Sequence, residues 1–164
     1  MKTKAFLENI EAMVERAFDT LCVHCPDFEL YTVLIHVDFK TPKEAKSKAV
    51  CSIGFDDLQN SLKHTKVWAD FLHPKDEANK SETRTYNPRN VLLSEVETIE
   101  CDDVKIKDAV FALKKRPLAL DIAVNARAQE LNIHKNAEFI IEFEQWYFGR
   151  SMLGVINPAN AGKK

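Results

Sequence analysis

The sequence predicts an α+β domain in which helices pack on one face of a small, largely antiparallel sheet. Three observations carry that expectation. An apolar stripe at helical spacing opens the chain, two alternating runs joined by a polar connection follow it, and β-branched and aromatic residues return near the C-terminus after a helical stretch. With 164 residues, 45% hydrophobic and 29% charged, the composition is globular. A chain of this size buries roughly 70% of its unfolded surface and needs neither disulfides nor metal to fold. Residues 1–156 are expected to form one α+β domain, with 157–164 ("NPANAGKK") a frayed tail.

Phe6, Leu7, Ile10, Met13, Val14, Ala17, Phe18 and Leu21 recur at steps of three and four, with Glu8, Glu11, Glu15 and Arg16 between them, which places a helix over about 4–22. Pro26 opposes its continuation. In "FELYTVLIHVDF" (Phe28 to Phe39), Tyr31, Val33, Ile35, Val37 and Phe39 alternate on one face, as a strand requires. "AVCSIGF" (Ala49 to Phe55) is a second strand, and the two are expected to form an antiparallel hairpin. Asp56 and Asp57 open a helix to about Leu72, with Leu58, Leu62, Ala69 and Leu72 inward, although "KVWADFL" also suits a strand. The polar stretch His73 to Asn90 reads as a long surface loop.

"VLLSEVETIEC" (Val91 to Cys101) is ambiguous between helix and strand. Asp102 or Asp103 is expected to cap a helix to about Lys115. Pro117 opens another to about Asn132, with Leu118, Ile122, Ala126 and Leu131 on its apolar side. "AEFIIEFEQWYF" (Ala137 to Phe148) favours a strand, with helix as the alternative.

Composition excludes several functions. Lys+Arg 23 against Asp+Glu 25 leaves no bulk cationic footprint for nucleic acid or anionic membrane. The glycines, Gly54, Gly149, Gly154 and Gly162, form no phosphate-cradling loop, and neither a G-x-S-x-G elbow nor an H-E-x-x-H pair occurs. No run approaches the roughly 18 apolar residues of a membrane span, and acids interrupt the opening, so the chain reads as cytoplasmic.

Cys22 and Cys25 bracket His24 in a C-x-x-C pattern, but they follow a helix instead of opening one. The carbonyl end of the helix dipole disfavours a thiolate there. Cys51 and Cys101 stand apart, as do His36, His64, His73 and His134, so no second pair completes a zinc site. Ordinary thiols, no metal and no cofactor are therefore expected. His36 and Asp38 share a strand face without a nucleophile beside them, which favours a hydrogen-bonded histidine at a sheet surface over a catalytic one.

Two stretches remain as candidate sites. In "QWYFGR", adjacent rings cannot share one face, so Trp146 or Phe148 either lies in a doubly covered strand or is exposed beside Arg150. Trp, Phe and Arg together suit a partner-binding surface. In the 73–90 loop, Arg84, Tyr86 and Arg89 suit an anion-binding site. The expected function is non-enzymatic protein–protein interaction, of the kind an inhibitor or immunity-type factor performs, with another protein or a second copy of this chain as partner. The alternatives are a small nucleic-acid binder using the basic helix near 105–116, and an enzyme without a recognisable motif whose site lies near the 73–90 loop.

Overall fold

The computed structural model describes residues 1–63, 91–115, 118–144 and 152–155. Helix α1, Thr3–His24, buries Phe6, Ile10, Met13, Val14, Ala17, Phe18 and Leu21, the stripe expected from the spacing. It closes where the Cys25 N–H donates to Leu21 O at 2.8 Å, one residue before Pro26. Strands β1 (Glu29–Phe39) and β2 (Lys46–Asp56) form the expected antiparallel hairpin, with Val33 opposite Phe55 and Phe39 opposite Ala49.

The ambiguous 91–101 stretch is a strand: β3, Leu93–Lys105, pairs antiparallel with β2. Helices α2 (Ile106–Lys114) and α3 (Leu118–Ala128) then carry the chain to β4 (Asn132–Phe143), which lies parallel to β1. A parallel neighbour needs such a crossover, because no tight turn brings a strand back in the same direction. A short β5 (Met152–Val155) pairs antiparallel with β4, giving the order β3-β2-β1-β4-β5. The fold is therefore α+β, with helices packed on a mixed, mostly antiparallel open sheet.

One sheet face makes the main core. Val33, Ile35, Val37 and Phe39 of β1, Cys51, Ile53 and Phe55 of β2, and Phe139, Ile141 and Phe143 of β4 join the α1 stripe and Ala109, Leu113, Leu120, Val124 and Ala128 of α2 and α3. Phe18 meets Phe55 edge-on with ring centroids 5.0 Å apart. The opposite face carries a smaller cluster of Leu34, Val91 and Ile140. Gly54 permits the chain to cross there: a Cβ at that position would lie 2.8 Å from Leu93 O and 2.9 Å from Val91 Cγ2.

Arg127 ties α3 to α1. Its guanidinium donates to Glu15 Oε2 at 2.7 Å, Asp19 Oδ1 at 2.6 Å and Glu130 Oε2 at 2.9 Å. Burial works against its charge, but the hydrogen bonds to the three carboxylates outweigh that and hold the guanidinium above its usual range.

Three local expectations are corrected. Asp102 and Asp103 cap no helix, because β3 continues to Lys105 and the pairing with β2 slips between Ser47 and Ala49. Asp103 takes φ 53° at that bulge, a conformation aspartate adopts more readily than most residues. In α3 the buried positions are Leu120 and Val124, ending on Ala128, while Ile122 and Ala126 face solvent; the Leu118 side chain lies outside the described residues. The sequence "LALDIAVNARA" is apolar on more than one side, so spacing alone does not select the buried face. Residues 58–63 are helical as expected, but Leu62 is exposed.

Candidate functional site: the outer edge and polar face of the sheet

The sheet face opposite α1 is polar along one row. Ser52 on β2 stands opposite His36 on β1, and His36 opposite Glu142 on β4. On the other side Ser52 faces Thr98 of β3, so the row runs Thr98, Ser52, His36, Glu142 across four strands. The alternation of β1 produces it: with Val33, Ile35 and Val37 in the core, His36 must emerge on the other face.

His36 Nε2 lies 2.7 Å from Glu144 Oε2, an imidazole N–H donating to a carboxylate, and the histidine side chain is only 14% exposed. Burial, reinforced by the negative charge of Glu144, pushes the Glu142 carboxyl up to about 8. An acid group that is largely protonated near neutrality thus adjoins an imidazole and a second carboxyl. The His36–Glu144 contact fastens the end of β4 to β1 across 108 positions of sequence. Two pleats away, Asp38 pairs with Lys40 at 2.6 Å. The hydrogen-bonded histidine expected at the sheet surface is thus found, while Glu142 and Glu144, its companions, carried no signal in the sequence.

The row ends at β3, where the sheet has an edge. The Lys40 N–H donates to Lys48 O and the Glu144 N–H to Val37 O, both at 2.9 Å, which fixes the backbone alternation. Even-numbered residues of β1 point their N–H and C=O toward β2, and odd-numbered ones toward β4. On β2, accordingly, Ala49, Cys51 and Ile53 point toward β3, where they meet Cys101, Ile99 and Glu97. It follows that the N–H and C=O of Thr98 and Glu100 point outward, and no described strand takes them. Both residues are exposed.

Bulges bracket this edge. The register with β2 shifts between Ser47 and Ala49 and between Ile53 and Phe55, and the positive-φ residues Asp103 and Glu95 sit at the two irregularities. The strand carries Glu95, Glu97, Glu100, Asp102 and Asp103 against one lysine, Lys105. Lys48 serves two of the acids, 3.6 Å from Glu100 and 3.7 Å from Asp102, and Arg16 lies 4.0 Å from Glu97.

The remaining sequence candidates are dispersed. Trp146, Phe148 and Arg150 lie outside the described residues, as do Arg84, Tyr86 and Arg89. Cys22 and Cys25 are half-buried free thiols, and Cys22 Sγ donates to Glu130 Oε2 at 3.8 Å. Cys51 and Cys101 are buried in the core, where burial raises both thiols. The basic stretch near 105–116 is realised in part as α2, with Asp108 in its first turn and Lys114 in its last. The acids that precede it lie on β3 and not at the helix N-terminus. Phe111 stands 61% exposed on α2 with Lys115 Nζ 4.2 Å over its ring. Among the described residues no helix is long and apolar enough to cross a membrane.

Neither a protein-family model, nor a curated protein, nor a solved structure matches the chain.

Proposed function

We propose that the chain is a protein-binding module that takes an extended segment of another protein as an added strand on the outer edge of β3. The observation that carries this reading is the outward direction of the N–H and C=O groups of Thr98 and Glu100 between two bulges. Main-chain groups in that arrangement give an incoming strand its affinity, and the side chains flanking it give selectivity. On the face opposite α1, Thr98, with Ser52 beside it on β2, supplies the polar surface that such a strand's side chains would meet. The four free thiols suit the cytosol, where cysteines stay reduced, and we place the protein there.

The test is selection of random peptides against the full chain, followed by affinity measurement on Thr98→Pro. Proline at 98 removes an N–H that points away from β2, so the β2–β3 ladder survives, as it does at natural edge prolines. Selected peptides are expected to lose about tenfold or more in affinity on Thr98→Pro while thermal unfolding stays close to wild type. Peptides that bind Thr98→Pro as tightly as wild type overturn the proposal.

A further inference from the structure

Resting on the strand-addition reading, we infer that the segment taken up at β3 is cationic, with lysine or arginine opposite Glu100 on one face and opposite Glu97 on the other. Sheet edges are commonly defended by charge and by bulges, and β3 has both. A defence built from one sign of charge is selective. If two copies of this chain paired through β3, acids would stand against acids, and like charges directly across strands are destabilising. A neutral strand gains only the main-chain bonds. A basic strand gains those and also meets acids that the chain itself neutralises incompletely.

The incompleteness can be read from the contacts. Lys48 is a single cation placed between Glu100 and Asp102, whose side chains are 63% and 77% exposed, so one negative charge of that group remains uncompensated by it. Arg16 approaches Glu97 only at 4.0 Å and is itself half exposed. Glu97 and Glu100 are three positions apart in the regular part of the strand, on opposite faces, so cations on both faces of an incoming strand find a carboxylate. The bulges limit the regular stretch to Glu97–Cys101 and hence the footprint to about five residues. Complementary charge of this kind chiefly sets partner choice and the speed of encounter.

The experiment uses the isotopically labelled full chain and three synthetic peptides, each about nine residues long. In each, doublets of threonine alternate with doublets of lysine, of glutamine or of glutamate, so that the variable residues fall on both faces of the added strand. The lysine peptide is expected to perturb the amides of Thr98 and Glu100, to bind about tenfold or more tightly than the glutamine peptide, and to weaken as salt rises to about 0.5 M. On Glu97→Lys/Glu100→Lys the preference is expected to reverse toward the glutamate peptide. Equal binding of the glutamine and lysine peptides, both lost on Thr98→Pro, overturns the charge inference and leaves strand addition standing. Lysine-peptide binding that survives Thr98→Pro is mere charge adsorption and overturns strand addition with it. Concentration-dependent dimerisation abolished by Thr98→Pro identifies a second copy as the occupant and overturns the cationic partner.

Discussion

Replacing Arg127 with methionine removes the charge that α3 presents to α1 and keeps most of the apolar stem. In the native structure one guanidinium holds Glu15, Asp19 and Glu130 at 2.6–2.9 Å and also reaches Glu15 O at 3.3 Å. The carboxylates are 47%, 68% and 53% exposed, so each pair has the strength of a surface ion pair, about 0.5–1 kcal/mol, despite its short distance. Three such pairs give about 1.5–3 kcal/mol. Loss of the common cation also leaves three acids clustered around a guanidinium site that is only 16% exposed, which adds mutual repulsion. The expected loss is therefore about 2–4 kcal/mol at low ionic strength, shrinking in high salt as the repulsion is screened. Urea unfolding of wild type and Arg127→Met at two salt concentrations measures it, with an unchanged slope confirming two-state behaviour. A loss below about 0.5 kcal/mol, or one indifferent to salt, would refute the view that this cluster joins the two helices.

Two further outcomes follow from burial. Phe18→Ala is expected to cost about 3–5 kcal/mol, since the ring is fully buried against Phe55, whereas Glu8→Ala on the exposed side of α1 should stay within about 0.5 kcal/mol; equal losses in thermal unfolding would contradict the observed stripe. For Glu142 the sign is set by a folded-state value raised from 4.5 to about 8. Ionising the group costs folding energy, so stability is fully present below the ordinary carboxyl value and is lost as pH rises toward about 8. Glu142→Gln cannot ionise; it should match wild type near about pH 4 and exceed it by on the order of 2–5 kcal/mol at about pH 9. A constant difference across that range would show that desolvation does not govern the group.

What the sequence disclosed and what it hid divide along physical lines. The α1 stripe and the β1–β2 alternation were legible because each element buries one face against a single core, so its own period declares it. The 91–105 segment was not. Its edge position leaves half its residues in solvent, and acids replace the alternation that would have marked a strand. Asp103 misled for a related reason: the short polar side chain that suits a helix cap also suits a left-handed bulge residue. In α3, alanines on several sides blurred the choice between Val124 and Ile122 as the inward position. The partnership of His36 with Glu144, and the parallel pairing of β1 with β4 behind it, join positions more than a hundred residues apart. No local pattern encodes that. The β3 edge is likewise a property of topology, since only the strand order tells which strand is outermost.

Amide hydrogen exchange across β3, with and without the lysine peptide, tests strand addition most directly, because it reads the very groups in question. In the free chain the Thr98 and Glu100 amides point outward and should exchange quickly, while Ile99, turned toward Cys51, should be slow. Saturating peptide is expected to slow Thr98 and Glu100 by about tenfold or more and to leave Ile99 nearly unchanged. Thr98 and Glu100 amides already as slow as Ile99 in the free chain, or unaltered by a peptide that demonstrably binds, would contradict the assignment of β3 as the recognition edge.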